Sequence, residues 1–437
     1  MTQDPRIGHA LEVFDQEEVA HTLPEHLPLI SKFLERYPEN QAFAGVNVLF
    51  VQHHLGPFIP RIKAMIAEGL DPSRCWFIDI PYSTNVDVWS KLRELGCPES
   101  QAAIPFNDPL LPYACSQSMR VADVLRRIAL RKDRCPLLVV DDGAYFARAL
   151  IKFRGLEPKI LDAFKQASVV EQTTRGHRYL QIHGKELVDE HRLSIVSIAR
   201  CYTKLNFESP FIGAAVSRAI NRSLSLSHDN LADLRTIAVI GFGSVGQATT
   251  EEVKRRLPEA SIDVVEIDTL KHDQIRTLGC NPLKQLSEAR QYDLVLGCTG
   301  YNSFKLDQRA LLANGAILAS GSSAAVEFNR AGFVELADAF PDDEIEVLNR
   351  AETRRMGIHA PITFQQEGRK QFSLLNAGFP VNFDGRMECL PSRIIQATHV
   401  LLFEAARQAL RSKNPGFAMI DAEKDAWIFN QALNELG

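Results

Sequence analysis

From Gly45 to about Val140, short apolar runs alternate with stretches whose apolar residues recur every three or four positions. The runs are VNVLFV (46–51), CWFIDI (75–80) and PLLVVDD (136–142), and amphipathic stretches such as RIKAMIAEGL and VWSKLRELG lie between them. Unbroken apolar runs of that length suit strands buried on both faces, and helices alternating with such strands give a parallel sheet. A second series begins at Thr236 with TIAVI and continues through IDVVEID (262–268), YDLVLGCTG (292–300) and GAILASG (315–321). The pattern therefore predicts an α/β chain with two doubly wound parallel-sheet domains. Between the two series, the serine-rich INRSLSLSHDNLADL (220–234) reads as a polar surface connection. After about Leu336 the pattern is shorter and more irregular, and it closes on a long amphipathic helix at 391–410, PSRIIQATHVLLFEAARQAL, placed to return to the first domain. We expect residues 1–219 and 385–437 to form one domain and 220–384 the other.

Bulk properties narrow the function. A chain of 437 residues with 45% hydrophobic and 24% charged residues has the proportions of a multidomain soluble protein. Its net charge of −5 gives it no electrostatic reason to approach nucleic acid or an anionic membrane. The acidic N-terminus lacks the layout of a signal peptide, and no stretch reaches the ~20 apolar residues of a membrane span, so a cytoplasmic protein acting on a small molecule is expected. The eight cysteines are scattered without a C-x-x-C pair and read as reduced thiols.

The strand TIAVI runs straight into Gly241-Phe242-Gly243-Ser244-Val245-Gly246, and QATTEEVKRRL then continues as an amphipathic helix. This is the context a dinucleotide fingerprint requires. Gly241 permits the tight turn, Gly243 lets backbone N–H groups approach a pyrophosphate, and Gly246 lets the helix pack closely on the strand. The next strand ends in Glu266, where a carboxylate accepts hydrogen bonds from a ribose diol and repels a 2′-phosphate. NAD is thus favoured over NADP, and the second domain reads as a Rossmann NAD-binding domain. Asp268 reads as a solvated strand-end acid.

With these motifs in place, the chain resembles the S-adenosylhomocysteine hydrolase superfamily from about Gly45 to about Leu410. The resemblance rests on the glycine loop with VVEID, on VDDGAYFA (140–147), on VEQTTRGHRYL (170–180) and on LLNAGFPVNF (374–383), in that family's chain order. It implies an enzyme that keeps NAD through each turnover, oxidises a secondary hydroxyl, uses the resulting ketone to acidify the neighbouring C–H, and later reduces the ketone again. It also implies His53, Asp142 and Lys204 as catalytic residues, with Lys204 near the oxidised hydroxyl and the other two near the leaving group. Cofactor contacts would come from Gly241, Gly243, Ser244, Val245, Gly246, Glu266, Thr299, Gly300 and Asn382, and substrate contacts from Ser83, Thr84, Gln172 and Glu208. The family further implies a homo-oligomer, dimer or tetramer.

On the residues alone, His53 beside His54 can equally close a strand end, Asp142 before Gly143 can shape a turn, and Lys204 can be a solvated charge. Adjacent histidines on a strand face opposite ways, and no third ligand accompanies them, so no metal is expected.

The departures from the family are concentrated on nucleoside recognition. Gln172 replaces its second glutamate, Glu208 its aspartate, Ser209 its asparagine and Gly213 its cysteine. Ser323 and Leu390 lie where its histidines stand, and Leu55 and Pro57 where it contacts adenine; Pro57 offers neither carboxylate nor N–H. The expected function is NAD-dependent oxidation of a secondary hydroxyl on a molecule other than adenosylhomocysteine. The alternatives are a divergent adenosylhomocysteine hydrolase and a non-enzymatic NAD-bound binding protein.

Overall fold

The computed structural model describes residues 4–14, 22–106, 110, 113–131, 135–152, 160, 162–226, 231–322, 324–339, 345–366, 370–412 and 414–436. The chain divides into two compact units, one of residues 1–105, 114–208 and 385–437, the other of residues 106–113 and 209–384.

The first unit holds strands β1 (Asn47–His54), β2 (Cys75–Thr84), β3 (Leu137–Asp141), β4 (Ser168–Glu171) and β5 (Ser194–Ser197). The second holds β6 (Thr236–Ile240), β7 (Ser261–Val265), β8 (Asn281–Leu283), β9 (Tyr292–Gly297), β10 (Leu312–Ser320), β11 (Ile345–Val347), β12 (Ile362–Gln366) and β13 (Gln371–Leu374); β14 (Gly416–Met419) rejoins the first.

The first sheet has the order β14-β5-β4-β3-β1-β2 and is parallel throughout. The chain passes from β1 to β2 on one side and from β2 to β3 on the other, so the winding reverses between β1 and β3. In open α/β sheets, ligands bind beyond the strand C-termini at such a switch point. The helix Ser392–Arg411 returns to this sheet and packs across β3, β4 and β5. It brings a fully buried Arg407, whose guanidinium meets Glu68 and donates to the Tyr37 carbonyl at 2.9 Å.

The second sheet runs β11-β12-β13-β10-β9-β6-β7-β8. Its winding reverses between β6 and β9. The expectation of a wholly parallel sheet fails at one edge, where β11, β12 and β13 pair antiparallel before β13 joins β10 in parallel. Only four residues separate β12 from β13, too few for the crossover that parallel pairing needs, whereas the helix Arg350–Met356 lies between β11 and β12.

The reading of 220–234 as a surface connection is also corrected. Its first part continues the helix Ser209–Leu226, and Val216, Ile220 and Leu224 on one face, with Leu231 beyond, are buried in the core of the second unit. The division falls at 208/209 and not at 219/220, because this helix runs unbroken and packs on the helix Ser244–Arg256. Gly213 makes the approach possible, since a Cβ there would stand 2.5 Å from the Ala248 carbonyl carbon. The glycine that replaces the family's cysteine is thus a packing residue. Among the described residues, no helix is long and apolar enough to cross a membrane.

Candidate functional site

In the first unit, four chain segments end at the switch point and bring four of the sequence-predicted residues together. His53 sits near the end of β1, Ser83 near the end of β2, and Asp142 and Gln172 immediately after β3 and β4. His53 Nδ1 lies 2.6 Å from Ser83 Oγ, and its Nε2 lies 3.1 Å from Asp142 Oδ2. The Ser83 hydroxyl donates to the Ile80 carbonyl at 2.9 Å, so its oxygen is left to accept from Nδ1. Asp142 also accepts from the Gln172 amide. Both ring nitrogens therefore face acceptors, and the histidine–carboxylate pair is built to hold one transferable proton.

The turn that aims Asp142 is shaped by other carboxylates. Gly143 and Ala144 both have positive φ, 118° and 55°. Glu171 accepts from the N–H groups of Ala144 at 2.7 Å and Thr173 at 2.6 Å, while Asp141 accepts from Tyr145 N at 3.1 Å and Phe146 N at 2.8 Å. Burial pushes Asp141 up to about 7. Burial, with the nearby Asp141 charge, also pushes Glu171 well above the usual carboxylate range. Asp142 is thereby released from turn-making. Gly176 keeps the space, since a Cβ there would fall 2.2 Å from the Glu171 carboxyl carbon.

Lys204 opens a π-helical turn, Lys204–Glu208, a form frequent at functional sites. Its ammonium donates to Glu208 at 2.6 Å, and Glu208 also accepts from Thr398 on the helix Ser392–Arg411. The turn is anchored from the far end of the chain: Asp425 accepts from Tyr202 N at 2.7 Å, Thr203 N at 3.1 Å and Thr203 Oγ1 at 2.6 Å. Lys204 is thus a fixed, largely buried ion-paired group and not a solvated charge. Thr84 is placed differently from the expected substrate contact, because its hydroxyl donates to Asp79, which in turn pairs with Arg120. Pro57 begins the helix Phe58–Ala67 and Leu390 is buried, while Ser323 lies outside the described residues.

Three residues here escaped the sequence reading. Arg61 is fully buried in that helix and donates to Gln52 Oε1 at 3.0 Å, and burial pushes it down to about 9. His399 has a sequestered, unpartnered Nδ1; burial, and then the charges of Arg61, Lys204 and His53, push it well below its ordinary range. The available signal was a charged or titratable residue inside an apolar helical face. Asp425 carried no comparable signal.

His54 faces the opposite way, into a cage of Phe58, Phe77 and Trp89 with ring centroids 5.1, 5.8 and 5.0 Å away. Burial pushes it down to about 4, and neither ring nitrogen has a partner. A depressed pKa means that the unfolded chain binds the proton first, so stability is lost as pH falls. Relative to His54→Phe, the wild type should lose roughly 3 kcal/mol of unfolding free energy between pH 6.5 and about 4, measured by denaturant titration at each pH. A constant difference across that range would contradict the burial of a neutral ring.

In the second unit, Gly241 (φ 98°) closes the turn after β6, and its N–H donates to the Val265 carbonyl at 2.8 Å. A Cβ on Gly246 would lie 2.0 Å from the Gly241 oxygen, whereas one on Gly243 meets nothing within 4 Å. The first turn of the helix Ser244–Arg256, which includes Ser244 and Val245, therefore opens onto free space, as an anion requires. Glu266 accepts from Phe242 N at 3.0 Å and Asp268 N at 2.9 Å, and pairs with Lys271 at 3.3 Å. Burial raises its carboxyl, but these donors outweigh burial and leave it below the usual range, so it is charged. Asp268 caps the short helix that follows.

Thr299 and Gly300 are brought to the same edge, but both donate to buried Glu327, at 2.8 and 2.5 Å. Asn382 is buried on a segment that Asn376 shapes; Asn376 Nδ2 donates to the Pro380 and Phe383 carbonyls at 3.2 and 3.0 Å. Val381 N ties this segment to Ser320 O at 2.9 Å, at the end of β10. The residues present fit a dinucleotide: a glycine loop with space at Gly243, a helix N-terminus, and a charged acid at the end of the next strand.

Among curated proteins, the chain is similar to enzymes of one kind over most of its length. It is 22% identical to the S-inosyl-L-homocysteine hydrolase of Methanocaldococcus jannaschii, covering 94% of this chain and 90% of that protein. It is 22% identical to the adenosylhomocysteinase of Thermosynechococcus vestitus, over 71% of this chain and 66% of that one. An uncharacterized Mycobacterium tuberculosis protein is 27% identical over 90% of this chain and 71% of its own. No family model matches the chain. Among solved structures, a transhydrogenase from Sinorhizobium meliloti aligns with a TM-score of 0.36 at 10% identity, over 83% of this chain and 91% of that one. The chain is distantly similar to adenosylhomocysteinases.

Proposed function

We propose that the protein is an NAD-dependent enzyme of adenosylhomocysteinase type that oxidises a secondary hydroxyl of a small molecule other than adenosylhomocysteine. The observation that carries this reading is the Ser83–His53–Asp142–Gln172 array at the switch point of the first sheet. An inert strand-end histidine would not need acceptors on both ring nitrogens.

Gly241, Gly243, Ser244, Val245 and Gly246 would hold the pyrophosphate, Glu266 the adenosine ribose, and Asn382 the nicotinamide side. When bound, NAD supplies a two-electron acceptor for an alcohol. Lys204 takes the hydroxyl proton after passing its own to Glu208, the carboxylate already at 2.6 Å. His53 and Asp142 then move the proton that the acidified neighbouring carbon or the leaving group requires. Thr299 and Gly300 serve the cofactor site through Glu327, which holds their strand end in place.

The relative that hydrolyses S-inosyl-L-homocysteine supports a hypoxanthine nucleoside as one test compound, because Pro57 and Leu55 retain no group that selects adenine. The experiment adds S-inosylhomocysteine, adenosylhomocysteine and simpler ribosyl alcohols to NAD-loaded protein and follows the absorbance of reduced nicotinamide and the release of thiol. Reduction by at least one compound other than adenosylhomocysteine is expected. Homocysteine release from adenosylhomocysteine at about 1 per second or faster would make the chain a divergent hydrolase of that compound. No reduction by any of them would favour a binding protein.

A further inference from the structure

We propose that Arg61 is a positioning residue that, through Gln52 and Gln172, fixes which end of the Gln172 amide faces Asp142; this rests on the reading of His53 and Asp142 as the acid–base pair. Arg61 Nη2 donates to Gln52 Oε1 at 3.0 Å, Gln52 Nε2 donates to Gln172 Oε1 at 3.3 Å, and Gln172 Nε2 donates to Asp142 Oδ2, the oxygen that also faces His53 Nε2 at 3.1 Å.

A guanidinium can only donate. Arg61, 1% exposed, cannot turn to water, so the Gln52 oxygen must face it and the Gln52 NH2 group must face away. The Gln172 oxygen then meets that NH2 group, which leaves the Gln172 NH2 group for Asp142. Each amide inherits its orientation from the one before it.

This orientation matters when the proton sits on Asp142. An ionised carboxylate would hold the Gln172 NH2 group by itself, but a protonated one would be better served by the amide oxygen. An isolated glutamine would flip, accept the proton's hydrogen bond and make neutral Asp142 a resting state. With Arg61 at the other end, the flip would set Gln172 NH2 against Gln52 NH2, and Gln52 could answer only by turning its own NH2 group onto a donor-only cation. The array therefore keeps a donor on Asp142 and returns the proton to His53. Gln172 suits this task better than the glutamate of the resembling family, because a carboxylate there would carry a proton itself.

Other titratable groups lie around the pair: Asp141 and Glu171 feel the Asp142 charge, His54 and His399 feel that of His53, and Arg61 and Lys204 act on His399 in turn. The test must separate orientation from charge. The titration of the His53 ring is followed by nitrogen-15 NMR in the full ligand-free chain, assigned with His53→Gln. Gln52→Leu breaks the relay and leaves the Arg61 charge in place. It should raise the midpoint of the His53–Asp142 pair by about one pH unit, the scale of one lost hydrogen bond to a charged group. Arg61→Leu should raise it at least as far, and Arg61→Lys, still a donor-only cation, should restore it. If Gln52→Leu leaves the midpoint unmoved, the relay is overturned, even where Arg61→Leu shifts it through lost charge. If Asp142→Asn also leaves His53 unmoved, the acid–base pair itself fails, which is a different result from failure of the relay alone.

Discussion

A valine at Gly243 is expected to leave the chain folded and to abolish its capture of NAD. At φ −78° and ψ −171° this glycine has a backbone that any residue adopts, and its Cβ would meet no protein atom within 4 Å. The added side chain therefore strains nothing in the protein and occupies only the space before the helix N-terminus, where a pyrophosphate must approach to within hydrogen-bond distance of the backbone. Losing two charge-assisted contacts of that kind should weaken binding by more than about 100-fold. Gly246→Ala tests the opposite case: its methyl would stand 2.0 Å from the Gly241 oxygen, so the loop itself must rearrange and the thermal midpoint should fall. Calorimetric titration with NAD, alongside thermal unfolding, separates the two. Should Gly243→Val bind NAD within threefold of wild type, this loop does not hold the dinucleotide.

Lys204→Met should leave NAD binding intact and reduce substrate-dependent reduction of the cofactor by about 100- to 10,000-fold, the range expected when a positioned acid–base group is lost. Methionine keeps most of the side chain's length and apolar stem but cannot carry a proton. The substitution leaves Glu208 with Thr398 as a partner, so some stability will be lost as well. Lys204→Met/Glu208→Gln removes the carboxylate charge left without its cation and distinguishes the effects: stability should recover while activity does not. Recovery of both would assign Lys204 a purely structural role.

The parts of this protein that could be read from its sequence are those whose cause is local. The glycine loop announces itself because a turn, a helix N-terminus and an acidic strand end follow one another within a short span, and the structure builds them as such. His53 and His54 were separable by strand alternation alone. Residues 220–234 have the serine content of a connection, yet Val216, Ile220 and Leu224 recur at helical intervals and are buried. The antiparallel edge of the second sheet was hidden by strands too short to show a period. Arg61 and His399 show in the sequence only as titratable residues on apolar helical faces, and Asp425 not even as that, because their meaning depends on what they meet, and their partners lie far away in sequence or on another face.

The anchoring of the Lys204 turn by Asp425 also dictates the order in which the molecule can be made. A ribosome that has synthesised the chain as far as Asp384 has made every strand of the second sheet, while the first still lacks β14 and the helix that packs across it. At that moment His53, Ser83, Asp142 and Gln172 have all been synthesised, but Lys204 has neither the carboxylate that caps its turn nor Thr398 beside its partner Glu208. The Lys204 turn must wait for the last helix, so the core of the second unit is complete in the growing chain before that of the first.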